Sequence, residues 1–82
     1  MTKVLVVEDE SFVRSMLCTS LRNLGYEVQS ASSAAEARKV DDTFKADVYC
    51  LDIELGHGAT GLDLAHALQH QNDKAAFVFL TD

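Results

Sequence analysis

Glu8 and Asp9 follow directly on the apolar run Lys3–Val7, Asp52 follows on Asp47–Leu51, and Thr81 follows on Ala75–Leu80. Acids and a hydroxyl at the ends of such runs can do chemistry together if the fold brings those ends to one place. Carboxylates gathered at short range repel, and each raises the others' pKa unless a cation stands between them. A hard divalent ion resolves this. Mg²⁺ takes one or two carboxylates, keeps several waters and commonly awaits a phosphate. A carboxylate beside such an ion can attack phosphorus and form an acyl phosphate, while the ion offsets the charge of the transfer. The Thr81 hydroxyl is suited to bond a phosphoryl oxygen. The set therefore points to a metal-assisted phosphoryl acceptor. Each acid alone has a plainer reading, as a solvated loop residue or a helix N-cap; the combination is what singles them out.

The pattern of the chain supplies the elements that must position these groups. Lys3–Val7 (KVLVV) is unbroken and apolar, as in a strand buried on both faces of a parallel sheet. Ser11–Leu24 carries a helical stripe of Phe12, Met16, Leu17, Cys18, Leu21 and Leu24, and Gly25 marks its stop. Tyr26–Ala31 alternates and predicts a second strand. Ser33 and Glu36 form a capping-box pattern for a short helix through about Val40, with Asp41-Asp42 as its solvated end. Asp47–Leu51 predicts a third strand ending at Asp52. The loop Gly56–Gly61 leads to a helix bearing Leu62, Leu64, Ala65 and Leu68, and Ala75–Leu80 predicts a fourth strand. Strands alternating with short helices mean parallel pairing and right-handed crossovers. The expected class is α/β, an open parallel sheet with helices on both faces, whose ligands sit at the carboxyl ends of the strands. Strands one and three are then neighbours, and Glu8, Asp9 and Asp52 converge.

Composition narrows the class of function. The chain has 82 residues, 48% of them hydrophobic, and a net charge of −6. One domain is the most this length allows. Net acidity argues against nucleic-acid binding by this segment. No apolar run approaches the ~20 residues of a membrane span, and Met-Thr-Lys leads into a strand pattern rather than a secretory signal. Cys18 and Cys50 lie in apolar segments and read as reduced buried thiols of a cytoplasmic protein; their spacing does not suit a zinc ribbon.

The residues also match a known pattern. VLVVEDE, then LDIEL, then a glycine nine positions after Asp52, then FLTD, resembles the receiver domain of bacterial two-component response regulators over the whole chain. The resemblance implies a flavodoxin-like sheet of order 2-1-3-4-5. It implies that Asp52 is the phosphoacceptor, that Asp9 binds Mg²⁺ directly, that Glu8 binds it through water, and that the Glu54 backbone carbonyl is a further ligand. By the same resemblance Thr81 is the switch hydroxyl, the phosphodonor is a sensor histidine kinase, and small acyl phosphates can replace it. Such a domain relays a phosphorelay signal to an output domain or partner. It is no enzyme beyond its own phosphorylation and dephosphorylation.

The chain departs from the family pattern in three ways. Residues 1–82 read as a receiver domain incomplete at the C-terminus: the fifth strand, the conserved-type lysine at its end, the aromatic switch residue and the last helices are missing. With that lysine missing, the segment is expected to bind Mg²⁺ weakly, to be phosphorylated poorly and to fail to switch. Two explanations are expected: a longer source chain, or a homodimer, with elements exchanged between copies, that covers the open edge of strand four. The usual proline four residues after the acceptor is replaced by Gly56, in a loop that looks one residue longer. Asp82 stands where the family has a small residue, and an outward orientation is expected, because a buried unpaired charge is costly.

Smaller features have bland readings. His57 reads as a loop residue, and His66 and His70 read as a surface pair, although their spacing also suits zinc. Glu54 reads either as a carbonyl donor alone or as a residue shaping dephosphorylation. Two rivals stand beside the receiver reading: a receiver-like dimerisation or interaction module not regulated by phosphorylation, and a phosphatase of the haloacid-dehalogenase kind. Asp52-Ile53-Glu54 only faintly matches the signature of the latter.

Overall fold

The structure is a computed structural model and describes residues 1–55 and 60–80. Its elements are β1 (Lys3–Val7), α1 (Ser11–Asn23), β2 (Glu27–Ala31), α2 (Ala34–Phe44), β3 (Val48–Asp52), α3 (Gly61–Gln71) and β4 (Ala76–Leu80). All strand pairs are parallel, in the order β2-β1-β3-β4. Val7 pairs with both Ala31 and Leu51, so the carboxyl ends of the three adjacent strands β2, β1 and β3 are level.

Alternation along the strands divides the interior into two cores. Leu5, Val7, Ala31, Tyr49 and Leu51 face α2 and α3 and meet Ala37, Phe44, Leu64, Ala65 and Leu68. Val4, Val6 and Val28 face α1 and meet Cys18, with Leu17, Leu21, Val48 and Cys50 around them. Burying each large side chain contributes about 1.5–3 kcal/mol. Tyr49 stacks on Phe77 with ring centroids 5.2 Å apart, tying β3 to β4. Cys18 is buried, Cys50 is half-buried, and both are free thiols.

Two details differ from the sequence expectations. The apolar stripe of α1 is narrower than its composition suggests. Leu17, Cys18 and Leu21 reach the sheet, while Phe12, Met16 and Leu24 are 69, 53 and 74% exposed. Helix α1 packs on β1 and β2, which only a narrow arc of its surface can touch. On β4, Val78 and Phe79 are also exposed, at 48 and 39%.

The second difference concerns α2, which continues past Val40 to Phe44. Asp41 is thus no solvated helix end but a buried acid. Its carboxylate accepts a hydrogen bond from the Tyr49 hydroxyl at 2.6 Å and another from the Ala46 N–H at 2.9 Å. Burial first, and then Asp41, hold the Tyr49 phenol well above its ordinary range. The expected cap does form: Ser33 Oγ accepts from the Glu36 N–H. The Glu36 carboxylate, however, reaches one residue further back, to the Ser32 N–H at 3.1 Å. Lys45 ends the helix in the left-handed region, with φ 52°.

Candidate functional site

Parallel pairing of β1 with β3 sets the site. Val7 and Leu51 are register partners, so Glu8 and Asp52 follow at adjacent strand ends. Glu8, Asp9 and Asp52 each offer a carboxylate oxygen, and these oxygens lie within 4.8 Å of one another. Glu8 is buried, Asp52 half-buried and Asp9 exposed. The site is thus a shallow acidic recess with its floor in the sheet and its mouth in solvent.

Backbone contacts hold the recess in shape. Glu8 N–H donates to the Ala31 carbonyl at 3.1 Å. The Glu8 carboxylate accepts from the Glu10 N–H at 3.0 Å, and one Asp52 oxygen (Oδ1) accepts from the Glu54 N–H at 3.1 Å. Arg14 Nη1 donates to the Glu8 carbonyl at 2.7 Å and so pins the β1–α1 loop to the helix. Sequence reasoning did not single out Arg14. The available signal was its place four residues before Cys18, on the sheet-facing side of α1.

Gly61 opens α3 directly against the other side of the site. Its N–H donates to the Ile53 carbonyl at 2.7 Å. A Cβ at this position would collide with the Asp52 carbonyl oxygen and lie 2.9 Å from Ile53 Cα. The glycine nine positions after Asp52 is thus required by close backbone approach. Thr60 and Asp63 complete the start of α3 as a reciprocal capping box. Replacing Gly61 with Ala is expected to cost about 1–3 kcal/mol, the range for overpacking, and to shift the Asp52–Ile53 backbone. Urea unfolding and the amide NMR shifts of residues 52 and 53 check this.

The electrostatics fit a site that wants a cation. Loss of hydration on burial, followed by the neighbouring Asp9 and Asp52, pushes Glu8 up to about 7, against the pull of the Glu10 N–H. The folded chain therefore keeps a proton that the unfolded chain has already released between about 4.5 and about 7. The Glu8 contribution to metal-free stability falls as pH rises through that window and levels off above it. Metal-free urea melts across the window are expected to show this decline, and Glu8→Gln is expected to flatten it.

The remaining sequence candidates are placed unevenly. Glu54 is exposed and contributes its N–H to Asp52. Leu80 pairs with Asp52, and its carbonyl accepts from the Ile53 N–H. Thr81, the next residue in the sequence, lies outside the described residues, as do Asp82, Gly56 and His57. Three hard carboxylate donors in one recess suit a divalent ion that prefers oxygen. Nitrogen or sulfur donors, which would favour zinc, are absent from this cluster of described residues.

Comparison with known proteins agrees with this geometry. The family model for the response regulator receiver domain matches residues 4–82. This chain belongs to the response regulator receiver domains. It is 34% identical over 79 residues to PhoP of Bacillus subtilis, an alkaline phosphatase synthesis transcriptional regulatory protein. The match covers 96% of this chain and 32% of PhoP, so this receiver domain spans about a third of that relative. The response regulator TrrA of Thermotoga maritima, solved with Mg²⁺ and BeF, superposes with TM-score 0.90 at 34% identity, over 99% of this chain and 70% of TrrA. TrrA in complex with the histidine kinase ThkA superposes with TM-score 0.87, over 99% of this chain and 69% of that one. The receiver sheet order is confirmed for the strands present, and no described helix is long and apolar enough to cross a membrane.

Proposed function

We propose that this receiver domain accepts a phosphoryl group on Asp52 from the phosphohistidine of a sensor histidine kinase, with Mg²⁺ held by Asp9, Asp52 and the Glu54 backbone carbonyl. Glu8 would act on the same ion through water, and Thr81 would bond the phosphoryl oxygens as the switch hydroxyl. The observation that carries this reading is the acidic recess, with three carboxylates within reach of one ion at the ends of adjacent parallel strands. When bound, the ion supplies charge neutralisation for an incoming phosphoryl group.

The residues of the chain divide the remaining work. The Glu54 N–H fixes one Asp52 oxygen, so the carboxylate is oriented before a donor arrives. An Asp52 oxygen forms the new bond to phosphorus as the phosphorus–nitrogen bond of the donor breaks, and the electron pair returns to the imidazole. Glu8 and Asp9 hold the negative charge that recruits the cation, and Arg14 keeps their loop in place. TrrA, a similar protein solved with Mg²⁺ and BeF and also with a histidine kinase, supports both the ion and the class of partner. The segment itself would work in the cytoplasm without touching nucleic acid, and would pass the signal to an output domain or partner.

The test is phosphoryl uptake from a small acyl phosphate with and without Mg²⁺. Weak uptake, at no more than one adduct per chain, is expected with Mg²⁺, and essentially none after chelation. Uptake indifferent to chelation would remove the ion from the mechanism. No uptake under either condition would favour an interaction module that does not depend on phosphorylation.

A further inference from the structure

Helix α3 carries a second set of potential metal ligands, away from the acidic recess. We propose that His66 and His70 form a chelating site for a late divalent transition metal such as Zn²⁺ or Cu²⁺. Both residues are exposed, on the side of α3 opposite the buried Leu64, Ala65 and Leu68. Their ring centroids are 5.3 Å apart, with the rings nearly perpendicular at 84°. Together with Gln69 they line a surface cleft of about 200 Å³.

Helix geometry makes this pair a preformed bite. Residues four apart rise about 6 Å along the axis and have Cβ atoms about 5–6 Å apart. A metal bound by imidazole sits about 2.0–2.1 Å from each nitrogen, so one ion can bridge rings held at that separation. The backbone is already ordered, with a capping box at Thr60 and Asp63 and a face packed into the core. Binding therefore orders two side chains and no backbone. Donor chemistry separates this site from the recess. Neutral imidazole suits Zn²⁺, Ni²⁺ and Cu²⁺, with Cu²⁺ tightest among them, whereas Mg²⁺ takes oxygen ligands. Waters would complete the coordination, and the net charge of −6 favours any cation near the surface.

Occupancy has a structural consequence. A metal bridging one turn to the next stabilises the helix whose first residue, Gly61, rests on the Asp52–Ile53 backbone. Binding to the folded state alone raises stability by mass action. A site of this kind therefore couples zinc or copper to the firmness of one wall of the acidic recess.

The experiment is calorimetric titration of Zn²⁺ into the metal-free protein in the presence of excess Mg²⁺. The variants are His66→Ala, His70→Ala, the double replacement and Asp52→Asn. Both histidines are exposed on a helix, so alanine is expected to leave the fold intact, which circular dichroism verifies. One Zn²⁺ per chain is expected for the parent and for Asp52→Asn. Outer partners of a ligand alone are worth about 10- to 100-fold in metal affinity, so each single His replacement is expected to weaken binding by at least roughly tenfold. Absence of zinc binding in the parent, unchanged binding in the double variant, or loss of binding in Asp52→Asn would each overturn the proposal. The last result would place the metal in the recess instead.

Discussion

Replacing Asp52 with Asn is expected to abolish phosphoryl uptake and leave the domain folded. The amide oxygen can still accept the Glu54 N–H, so the turn after β3 keeps its hydrogen bond. What disappears is the anionic nucleophile at the end of β3. The substitution also removes one of the three clustered negative charges. Asp52 is among the groups that push Glu8 upward, so Glu8 should move back towards its ordinary range. At neutral pH without metal the variant is therefore expected to be as stable as the parent, or more stable by roughly 1 kcal/mol, the scale of an exposed charge pair at short range. Intact-mass measurement after incubation with an acyl phosphate and Mg²⁺ reads the first effect. Thermal melting in a chelator reads the second. A variant that loses uptake because it has unfolded is recognised by the melt and would count against the structural part of the reading.

The largest effect on stability is expected at a residue remote from the chemistry. Asp41→Ala leaves the buried Tyr49 hydroxyl and the Ala46 N–H without their acceptor. Each buried donor left unsatisfied costs about 1–3 kcal/mol, giving a loss of about 2–6 kcal/mol for the two before any cavity is counted. A domain of this size is worth about 4–12 kcal/mol in total, so a large part of the population would be unfolded at moderate urea. Tyr49→Phe removes only one donor and is expected to lose about 1–2 kcal/mol, in the range for a single buried hydrogen bond. The contrast between the two variants in urea melts tests the network. Equal and small losses would show that Asp41 does not organise the turn between α2 and β3.

Asp41 also shows where the sequence stops being legible. The pair Asp41-Asp42 reads as polar helix end because nothing local announces the partner. The partner is Tyr49, eight residues later and in a different element. Only the packing of α2 on the sheet turns one of two adjacent acids inward. Arg14 escaped notice for a related reason, since its acceptors are backbone carbonyls and leave no mark in the sequence. The strands were legible because parallel sheets bury both faces and write unbroken apolar runs. β1 and β3 therefore lie within one residue of their expected bounds. Their acids were legible because parallel neighbouring strands bring their carboxyl ends to the same edge of the sheet. The exposed Phe12 and Met16 mark the opposite limit. Helical periodicity identifies an apolar face, but it does not say how much of that face another element will cover.

The recess also joins function to stability. Glu8 is buried where its ionisation is disfavoured, and burial with its acid neighbours pushes it up to about 7. Stability is thereby lost at neutral pH in the place where the proposed metal ion would restore it. The same three carboxylates that suit Mg²⁺ make the metal-free state less stable than a neutral recess would be.

The most direct measurement of the central claim maps the phosphoryl group to a residue. The protein is incubated with Mg²⁺ and an acyl phosphate, reduced with borohydride, digested and sequenced by tandem mass spectrometry. Borohydride converts an aspartyl phosphate to homoserine, a permanent mark at the acceptor. Homoserine at position 52 and nowhere else is the expected result. A mark at Asp9, or no mark at any position, would contradict the assignment of Asp52 as the phosphoacceptor.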